Sequence, residues 1–219
     1  MNKIKMSIKK IAQYLRELSV VVIGVAITLF ASNWISIRNE KKNLSLFLNS
    51  IKIELEGNAE SFENYAKRFQ KSVKYANYIR AHDEKSINQD TIWYYASSTE
   101  DSYGWGIIQS AVYYRKDAFD MFKTSGAMRQ MIDKNLLVSI SGTYNTMENV
   151  QIFLDMCFQQ KREESTREWN QRAEGKSITI PMQRFYSNDL PHAMVRQCAE
   201  MSELIKETLS KLEQTKMVK

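Results

Sequence analysis

Residues 18–37 form a run of twenty positions without a charged side chain, in a chain of 219 residues of which 26% are charged. As a helix that rises 1.5 Å per residue, such a run is about 30 Å long, which matches the hydrocarbon core of a bilayer. Trp34 lies near the end of the run, where interfacial aromatic residues occur, and Arg38 marks the return of charge. The run therefore predicts a transmembrane helix.

Two other interpretations of the run compete with this one. A core helix of a soluble domain is also apolar, but the complete lack of charge over twenty positions makes it less favoured. A cleaved signal peptide has a similar apolar core, but here the preceding basic region is long and no clear small-x-small cleavage site follows. We expect an uncleaved, single-pass anchor.

The positive charge of the chain is concentrated before the run. The net charge is +6, and residues 1–17 hold five basic side chains and one acidic one, so the remainder is nearly neutral. A nucleic-acid-binding protein normally has its positive charge on the folded domain, which argues against a nucleic-acid partner. Beside an apolar run, the same charge can contact anionic headgroups, so membrane lipid is the expected partner.

The distribution of basic residues also predicts an orientation. Five basic residues precede the run, and four lie between Arg38 and Glu54. The positive-inside rule therefore favours a cytoplasmic N-terminus. We expect the protein in the inner cell membrane, with its C-terminal domain in the periplasm.

A regular apolar stripe follows the predicted membrane helix. Apolar and aromatic residues recur in alternating steps of four and three, which is the pattern of a helix packed along its length on other helices. The stripe consists of Leu44, Leu48, Ile51, Leu55, Asn58, Phe62, Tyr65, Phe69, Ser72, Ala76 and Ile79. Charged residues, Glu54 among them, are expected on the outward positions. Because no proline interrupts residues 18–80, one continuous rod is predicted.

Shorter segments follow this rod. Asp90 is expected to cap a short aromatic helix, and a further helix is expected from about Ile107 to a C-terminal cap at Gly126. Asp133 is expected to cap a long helix that reaches about Ala173. Both prolines fall in residues 174–191, which reads as a loop whose Ser-Ile-Thr-Ile stretch could pair as a short strand.

A last helix is predicted after Asp189, its candidate cap, with Pro191 in the first turn. The sum predicts an all-α fold in which an N-terminal transmembrane helix continues into an antiparallel helical bundle. The expected organisation is a basic juxtamembrane segment at residues 1–17, a transmembrane helix at 18–37 and a helical bundle domain at 38–219.

The two cysteines, Cys157 and Cys198, both fall on predicted inner stripes. Two cysteines are too few for a disulfide framework, and their spacing does not suggest a zinc site. Two small buried thiols are the simpler interpretation. A single disulfide between them is the alternative, if the domain lies in an oxidising compartment.

Two blocks of the sequence resemble those of a known family. They comprise Leu15-Arg16-Glu17, Val22-Ile23-Gly24, Asn33-Trp34 and Lys123-Thr124-Ser125-Gly126. In this order they resemble the DUF6090 family of bacterial single-pass membrane proteins of unknown function, over roughly residues 15–150. The resemblance implies a membrane helix followed by a helical domain. It implies no activity and no site residues.

No motif of a catalytic or metal site occurs in the sequence. His82 and His192 are the only histidines, and neither has a second histidine at ligand spacing. The pair Gly104 and Gly106 lacks the third glycine and the preceding strand of a phosphate loop. No serine lies in a nucleophile-elbow sequence. We therefore expect no enzyme, no cofactor and no metal.

An aromatic cluster in residues 92–114 is the most suggestive feature for function. It consists of Trp93, Tyr94, Tyr95, Tyr103, Trp105, Tyr113 and Tyr114. Tyrosine and tryptophan suit interfaces because each joins a large apolar area to a polar tip. A surface for a protein partner is therefore one interpretation. Packing of short helices over the end of the bundle, or contact with the membrane, are the others.

Two functions follow from these features. The first is a membrane-anchored helical protein that binds a partner or acts as a sensory accessory, without catalysis. The alternative is a self-associating membrane scaffold, a homo-oligomer in which residues 44–79 form an intermolecular coiled coil. Phe62 and Phe69 fit a bundle better than a regular dimer seam. The mass of the detergent-solubilised protein separates the two.

Overall fold

The computed structural model describes residues 2–98, 113–180 and 183–217, and within these ranges the chain is helical with no strand. Short 3-10 helices lie at Glu84–Ser86 and Ala127–Gln130. The α-helices in this part of the chain are α1 (Asn2–Ala81), α2 (Gln89–Ser98), α3 (Asp117–Thr124), α4 (Lys134–Ala173), α5 (Gln183–Ser187) and α6 (Leu190–Met217).

The helix α1 is one continuous element of 80 residues. It is the one helix, in the part of the chain described, that is long and apolar enough to cross a membrane, and its apolar stretch is not covered by protein. Every large apolar side chain of residues 18–37 is exposed, with exposures from 44% to 75%. Thr28 donates to the carbonyl of Gly24, so its hydroxyl is satisfied within the helix.

Beyond Leu44 the same helix becomes the centre of the core. The predicted stripe is confirmed, because eight of its eleven residues are buried and the remaining three, Leu48, Tyr65 and Ser72, are half-buried. Ile51, Leu55 and Phe62 have no exposed surface. One helix therefore has two environments along its length, uncovered apolar surface first and a packed core afterwards.

The helix α6 lies along α1. Its C-terminal end is beside Lys52, which forms an ion pair with Glu213 at 2.6 Å. Near its middle, Ser202 donates to the carbonyl of Ala59 at 3.1 Å. At the other end, Arg80 of α1 donates to the carbonyl of Asn188 at 2.6 Å. These contacts hold the two helices together over most of the domain.

The long helix α4 packs on α6 and completes the core. Thr143 and Thr208 share a buried hydroxyl–hydroxyl hydrogen bond of 2.7 Å between the two helices. The predicted cap is confirmed, since the carboxylate of Asp133 accepts from the backbone N–H of Leu136 at 3.0 Å. Asp189, the candidate cap of α6, directly precedes that helix, and its carbonyl accepts from Ala193.

Three local predictions were wrong. Asn88 caps α2 in place of Asp90, because its side-chain oxygen accepts from the N–H of Asp90 at 2.8 Å. Residues 177–180 form no strand; Ile180 is instead buried in the helical core.

The third wrong prediction concerns the start of α3, which begins at Asp117 and not near Ile107; residues 107–112 lie outside the described part. Residues 113–116 are not helical because the side chain of Asn58 forms hydrogen bonds with both the N–H and the carbonyl of Arg115. The end of α3 is as predicted. Gly126 follows the helix with φ of 76°, a backbone conformation that glycine adopts without strain.

Candidate functional site

The predicted aromatic surface falls on two separate elements. Tyr103 and Trp105 lie outside the described residues, as do the side chains of Trp93 and Tyr95 on α2. On α2 Tyr94 is 66% exposed, and just before α3 Tyr113 is 70% exposed. Both expose more of their ring than a packed residue does, as a contact surface requires.

Tyr114 belongs to the core and not to this surface. It packs against the buried hydrophobic cluster and is half-buried. Burial raises the pKa of its phenol, and the nearby carboxylates of Glu148 and Asp120 raise it further. The aromatic residues whose side chains the structure describes therefore do not form one set: Tyr94 and Tyr113 are exposed, while Tyr114 packs against the helical core.

Asn58 of α1 holds the backbone that leads from the aromatic cluster into α3. Its amide nitrogen donates to the carbonyl of Arg115 at 2.8 Å, and its amide oxygen accepts from the N–H of the same residue at 2.8 Å. Two bonds to one residue fix both the position and the orientation of the segment. Nearby, the N–H of Tyr113 donates to the hydroxyl of Tyr65 at 3.4 Å.

Glu54, one turn before Asn58, caps α3 from a distance. Lys116, at the N-cap position, makes no side-chain capping bond. The carboxylate of Glu54 accepts instead from the N–H groups of Ala118 at 2.8 Å and Phe119 at 3.4 Å. A negative charge at a helix N-terminus also interacts favourably with the helix dipole. We call Glu54 and Asn58 the α1 clamp.

Tyr144 of α4 contacts the α1 clamp and the start of α3. Its hydroxyl donates to Glu54 at 2.5 Å, and its ring stacks on Phe119 with centroids 4.1 Å apart. Burial raises the pKa of the Tyr144 phenol, and the hydrogen bond to Glu54 raises it further, so the hydroxyl stays protonated and donates. Through these groups α1, α3 and α4 meet at the root of the aromatic segment.

A second buried polar group lies at the far end of the domain. We call Tyr75, Lys161, Glu164, Glu168 and Tyr186 the distal cluster; each is 6% exposed or less. The rings of Tyr75 and Tyr186 meet edge to face at 4.5 Å. Burial raises the pKa of both phenols, and Glu168 adds to the effect at each.

Lys161 is the one basic residue of the distal cluster. It is 4% exposed, and its ammonium group lies 6.0 Å from the ring centroids of Phe185 and Tyr186 on α5. Burial lowers the pKa of Lys161 to about 7, because the charged amine loses its hydration. The residue therefore loses its proton within the physiological pH range.

Glu164 ties α5 to α4. Its carboxylate accepts from the backbone N–H of Arg184 at 3.2 Å and forms an ion pair with Arg167. The five-residue helix α5 is too short to be stable alone, and Phe185 and Tyr186 anchor it over the cluster. The distal cluster thus holds α5 in place.

The arrangement of the distal cluster suits a structural role better than a catalytic one. It holds an amine, carboxylates and phenols, but they are covered by α5. Two open grooves, of about 470 Å³ and about 460 Å³, lie instead beside residues 43–50 of α1 and residues 133–139 of α4. No group of three or more metal-binding side chains occurs among the residues that could be searched.

The remaining candidate residues are placed as follows. Cys157 and Cys198 are free and buried. Burial raises the pKa of their thiols to about 11 and about 12, which makes both unreactive near neutral pH. A bridge between them stays a prediction. His82 bonds to the carbonyl of Tyr78, and His192 contacts Asn77 at 3.0 Å, so each has a local partner.

Sequence reasoning missed both polar groups. Glu54 was expected on an outward position, but it is 8% exposed. Asn58 was placed correctly on the inner stripe, as one of its two polar members. A signal for the distal cluster exists, because Lys161, Glu164 and Glu168 continue the four–three steps of the α4 stripe beyond Cys157. Charged residues in register with a buried stripe indicate buried charges.

Comparisons of the chain with family models, with curated proteins and with solved structures find no match.

Proposed function

We propose that the protein is a single-pass membrane protein whose antiparallel helical bundle binds a protein partner or acts as a sensory accessory, without catalysis. The proposed location is the inner cell membrane. The N-terminus lies in the cytoplasm and the domain of residues 38–219 in the periplasm, since the basic residues before the apolar run outnumber those after it.

One observation carries this proposal, which is the continuity of α1. The helix has uncovered apolar surface at residues 18–37, and from Leu44 onward it forms the centre of a packed core without interruption. An uncovered apolar stretch of this length is unfavourable in water and favourable in lipid. An unbroken helix also couples its two parts mechanically, because a displacement of one is transferred to the other.

The α1 clamp connects such a displacement to the aromatic segment. Glu54 and Asn58 lie on α1, and they bind the backbone of residues 115–119, which follows the aromatic cluster. Movement of α1 would therefore move the root of a segment that exposes Tyr113. A partner bound at Tyr94 and Tyr113 would sense this change.

The contacts of the stripe favour this proposal over a self-associating scaffold. A coiled coil through residues 44–79 needs the apolar stripe as its seam. In the structure that stripe is covered by elements of the same chain, and α6 covers it most extensively. A scaffold function would have to use another surface.

We also propose, from the two sequence blocks at residues 15–42 and 118–150, that the chain is related to the DUF6090 family. The first block spans the apolar part of α1 together with the charged residues at both of its ends. In the second block, Thr124 ends α3, and Gly126 follows shortly after with a positive φ. The relation adds no activity.

Photo-crosslinking in intact cells tests partner binding. A crosslinking amino acid replaces Tyr94 or Tyr113 in the full-length chain, and Ile152 of α4, which is 55% exposed, serves as the matched control position. We expect the same adduct of defined mass from Tyr94 and Tyr113 and none from Ile152. The absence of any reproducible adduct would contradict partner binding, and adducts only to a second copy would support the scaffold.

A further inference from the structure

The grooves lie at the end of the domain closest to the apolar run. This end is built from residues 38–50, 120–134 and 211–217. Phe122 packs against Phe47 with ring centroids 6.2 Å apart, and residues 125–130 line one groove together with residues 43–50. Phe47 lies ten residues after Ile37. Along a helix this is about 15 Å, so this end of the domain is held close to the apolar run.

These three stretches carry an excess of positive charge. Together they hold eight basic and four acidic side chains, whereas the whole chain after residue 17 is nearly neutral. We call this part of the surface the basic end. Since charge is unevenly distributed along the domain, the rest of the domain is acidic on balance.

Three of the four acidic side chains of the basic end are engaged by an ion pair or a capping bond, and the fourth, Glu40, accepts from Ser36. Asp120 pairs with Lys123 at 2.6 Å, and Glu213 pairs with Lys52 at 2.6 Å. Asp133 caps α4, and its second oxygen accepts from Thr215. Since basic side chains outnumber acidic ones here, the net charge of the basic end is positive.

The turn between Ala127–Gln130 and α4 combines charge with an exposed apolar side chain. Ile132 is 81% exposed, the highest exposure of any large apolar residue in the described part of the chain. Arg129 and Lys134 flank it and are exposed as well. Lys134 donates to the carbonyl of Met131 at 2.8 Å, which holds its ammonium group beside the turn. Basic residues around an exposed aliphatic side chain are typical of segments that bind a lipid interface.

We propose that the basic end rests on the anionic headgroups of the membrane that α1 spans, with Arg129 and Lys134 against phosphate groups and Ile132 in the interfacial layer. This inference rests on the proposed membrane anchor and adds a second contact to it. A headgroup layer is roughly 5–8 Å thick, and the Debye length at physiological ionic strength is about 8 Å. An end held about 15 Å from the hydrocarbon edge therefore lies within reach of the headgroup charge.

Contact with the surface also fixes the angle of the domain. A transmembrane helix tilts by about 20° on average, which brings one side of an attached domain closer to the membrane. The proposed contact selects the tilt that lowers residues 129–134. Neutralisation of the surface charge would release this tilt and move the α1 clamp with it.

The test uses the full-length chain in vesicles of phosphatidylcholine, with or without phosphatidylglycerol. An environment-sensitive fluorophore is attached to Ile132→Cys, and quenching by headgroup-labelled nitroxide lipid is measured. Cys157 and Cys198 are buried and their thiols are protonated, so labelling is selective. The control position is Glu174→Cys, which is exposed at the opposite end of α4. We expect strong quenching at position 132 in anionic vesicles, less in phosphatidylcholine alone and none at position 174.

Matched charge variants complete the test. Arg129→Gln with Lys134→Gln should lower the ratio of docked to undocked protein by roughly thirtyfold, from roughly fivefold for each basic residue near an anionic surface. Lys71→Gln with Lys74→Gln makes the same change in net charge on exposed residues far from the basic end and should leave the ratio unchanged. The proposal would be overturned if the fluorophore at position 132 were quenched no more than the one at position 174, or were quenched equally in both lipid mixtures. Failure of the protein to float with the vesicles would instead contradict the membrane anchor itself.

Discussion

Glu54 accepts hydrogen bonds from three groups on α3 and α4 although it lies on α1. Its replacement by alanine removes the cap of α3, which is worth about 1 kcal/mol. It also leaves the buried hydroxyl of Tyr144 without its acceptor, which costs about a further 1–3 kcal/mol. We therefore expect Glu54→Ala to lower the free energy of unfolding by about 2–4 kcal/mol, measured by denaturant titration of the full-length chain in detergent.

Glu56→Ala is the matched control for this prediction. Glu56 is two residues further along α1, and its carboxylate is 51% exposed in a pair with Lys52. An exposed ion pair contributes little to stability because it is screened by solvent, so the control should remain close to wild type. Equal effects of the two variants would show that Glu54 does not cap α3.

Lys161 predicts a dependence of stability on pH. Its pKa is about 7 in the folded domain and 10.5 in the unfolded chain. Between these values the unfolded chain binds more protons, so stability rises with pH and is lost as pH falls toward 7. From pH 7.5 to 8.5, wild type should gain about 1 kcal/mol in the free energy of unfolding.

Lys161→Met should abolish this gain, because the variant has no amine to titrate. Lys71→Met, at an exposed position, should retain it. The measurement is a pair of denaturant titrations at the two pH values. The two thiols begin to ionise in the unfolded chain over this range, and their small opposite contribution is the same in all three proteins. If the free energy of unfolding still rises with pH in Lys161→Met, the rise comes from another group.

The residue scale also shows where sequence reasoning stops. Helical periodicity placed Asn58 on the inner stripe, but it could not place Glu54, whose burial depends on the start of α3 far along the chain. In the same way, Asn88 rather than Asp90 caps α2. Both residue types are good caps, and a difference of two residues in where the helix begins decides between them. A local pattern specifies the face of a helix more reliably than the partner of a polar side chain.

At the scale of elements, the packing of α1 on α6 is expected to dominate stability. Leu55 has no exposed surface, whereas Ile53 on the same helix is 61% exposed. Leu55→Ala should lower the free energy of unfolding by about 2–5 kcal/mol, because it removes buried methyl groups and leaves a cavity. Ile53→Ala should change it by less than about 1 kcal/mol. Similar losses in thermal melts of both variants would contradict the burial pattern.

Long periodic elements could be predicted from the sequence, and short ones could not. The extent of α1 beyond the apolar run and the start of α4 at Asp133 agree with the structure, because each has many residues in register or a clear cap. The start of α3 was wrong because the backbone of Arg115 is bound by Asn58, a tertiary contact. Residues 177–180 likewise have strand-like composition, but they form no strand, and among them only Ile180 is buried in the helical core.

At the scale of the whole molecule, the proposed orientation places the two ends of the chain on opposite sides of the membrane. Glu174→Cys, exposed at the far end of α4, should react with a membrane-impermeant thiol reagent in intact spheroplasts. Lys5→Cys should react only after lysis, because it precedes the apolar run. The reverse pattern of labelling would invert the orientation.

The arrangement of the whole molecule followed from sequence only in part. The stripe predicted that residues 44–79 are covered, but it left open whether another copy or the same chain covers them. The structure covers them with α3, α5, α6 and the 127–130 turn. Periodicity identifies a buried face without identifying its partner, and that partner decides between a bundle and an intermolecular coiled coil.

The central claim is that residues 18–37 of α1 lie in lipid and hold the domain at the membrane. Extraction of cell membranes with alkaline carbonate tests it most directly, with full-length wild type compared with Val22→Lys and Val25→Lys combined. Lysine near the centre of a membrane helix costs about 2.5–3.5 kcal/mol per residue, so the variant should be released. We predict that wild type stays in the membrane pellet and needs detergent to dissolve. Wild type that is released by carbonate and remains soluble without detergent would contradict the account.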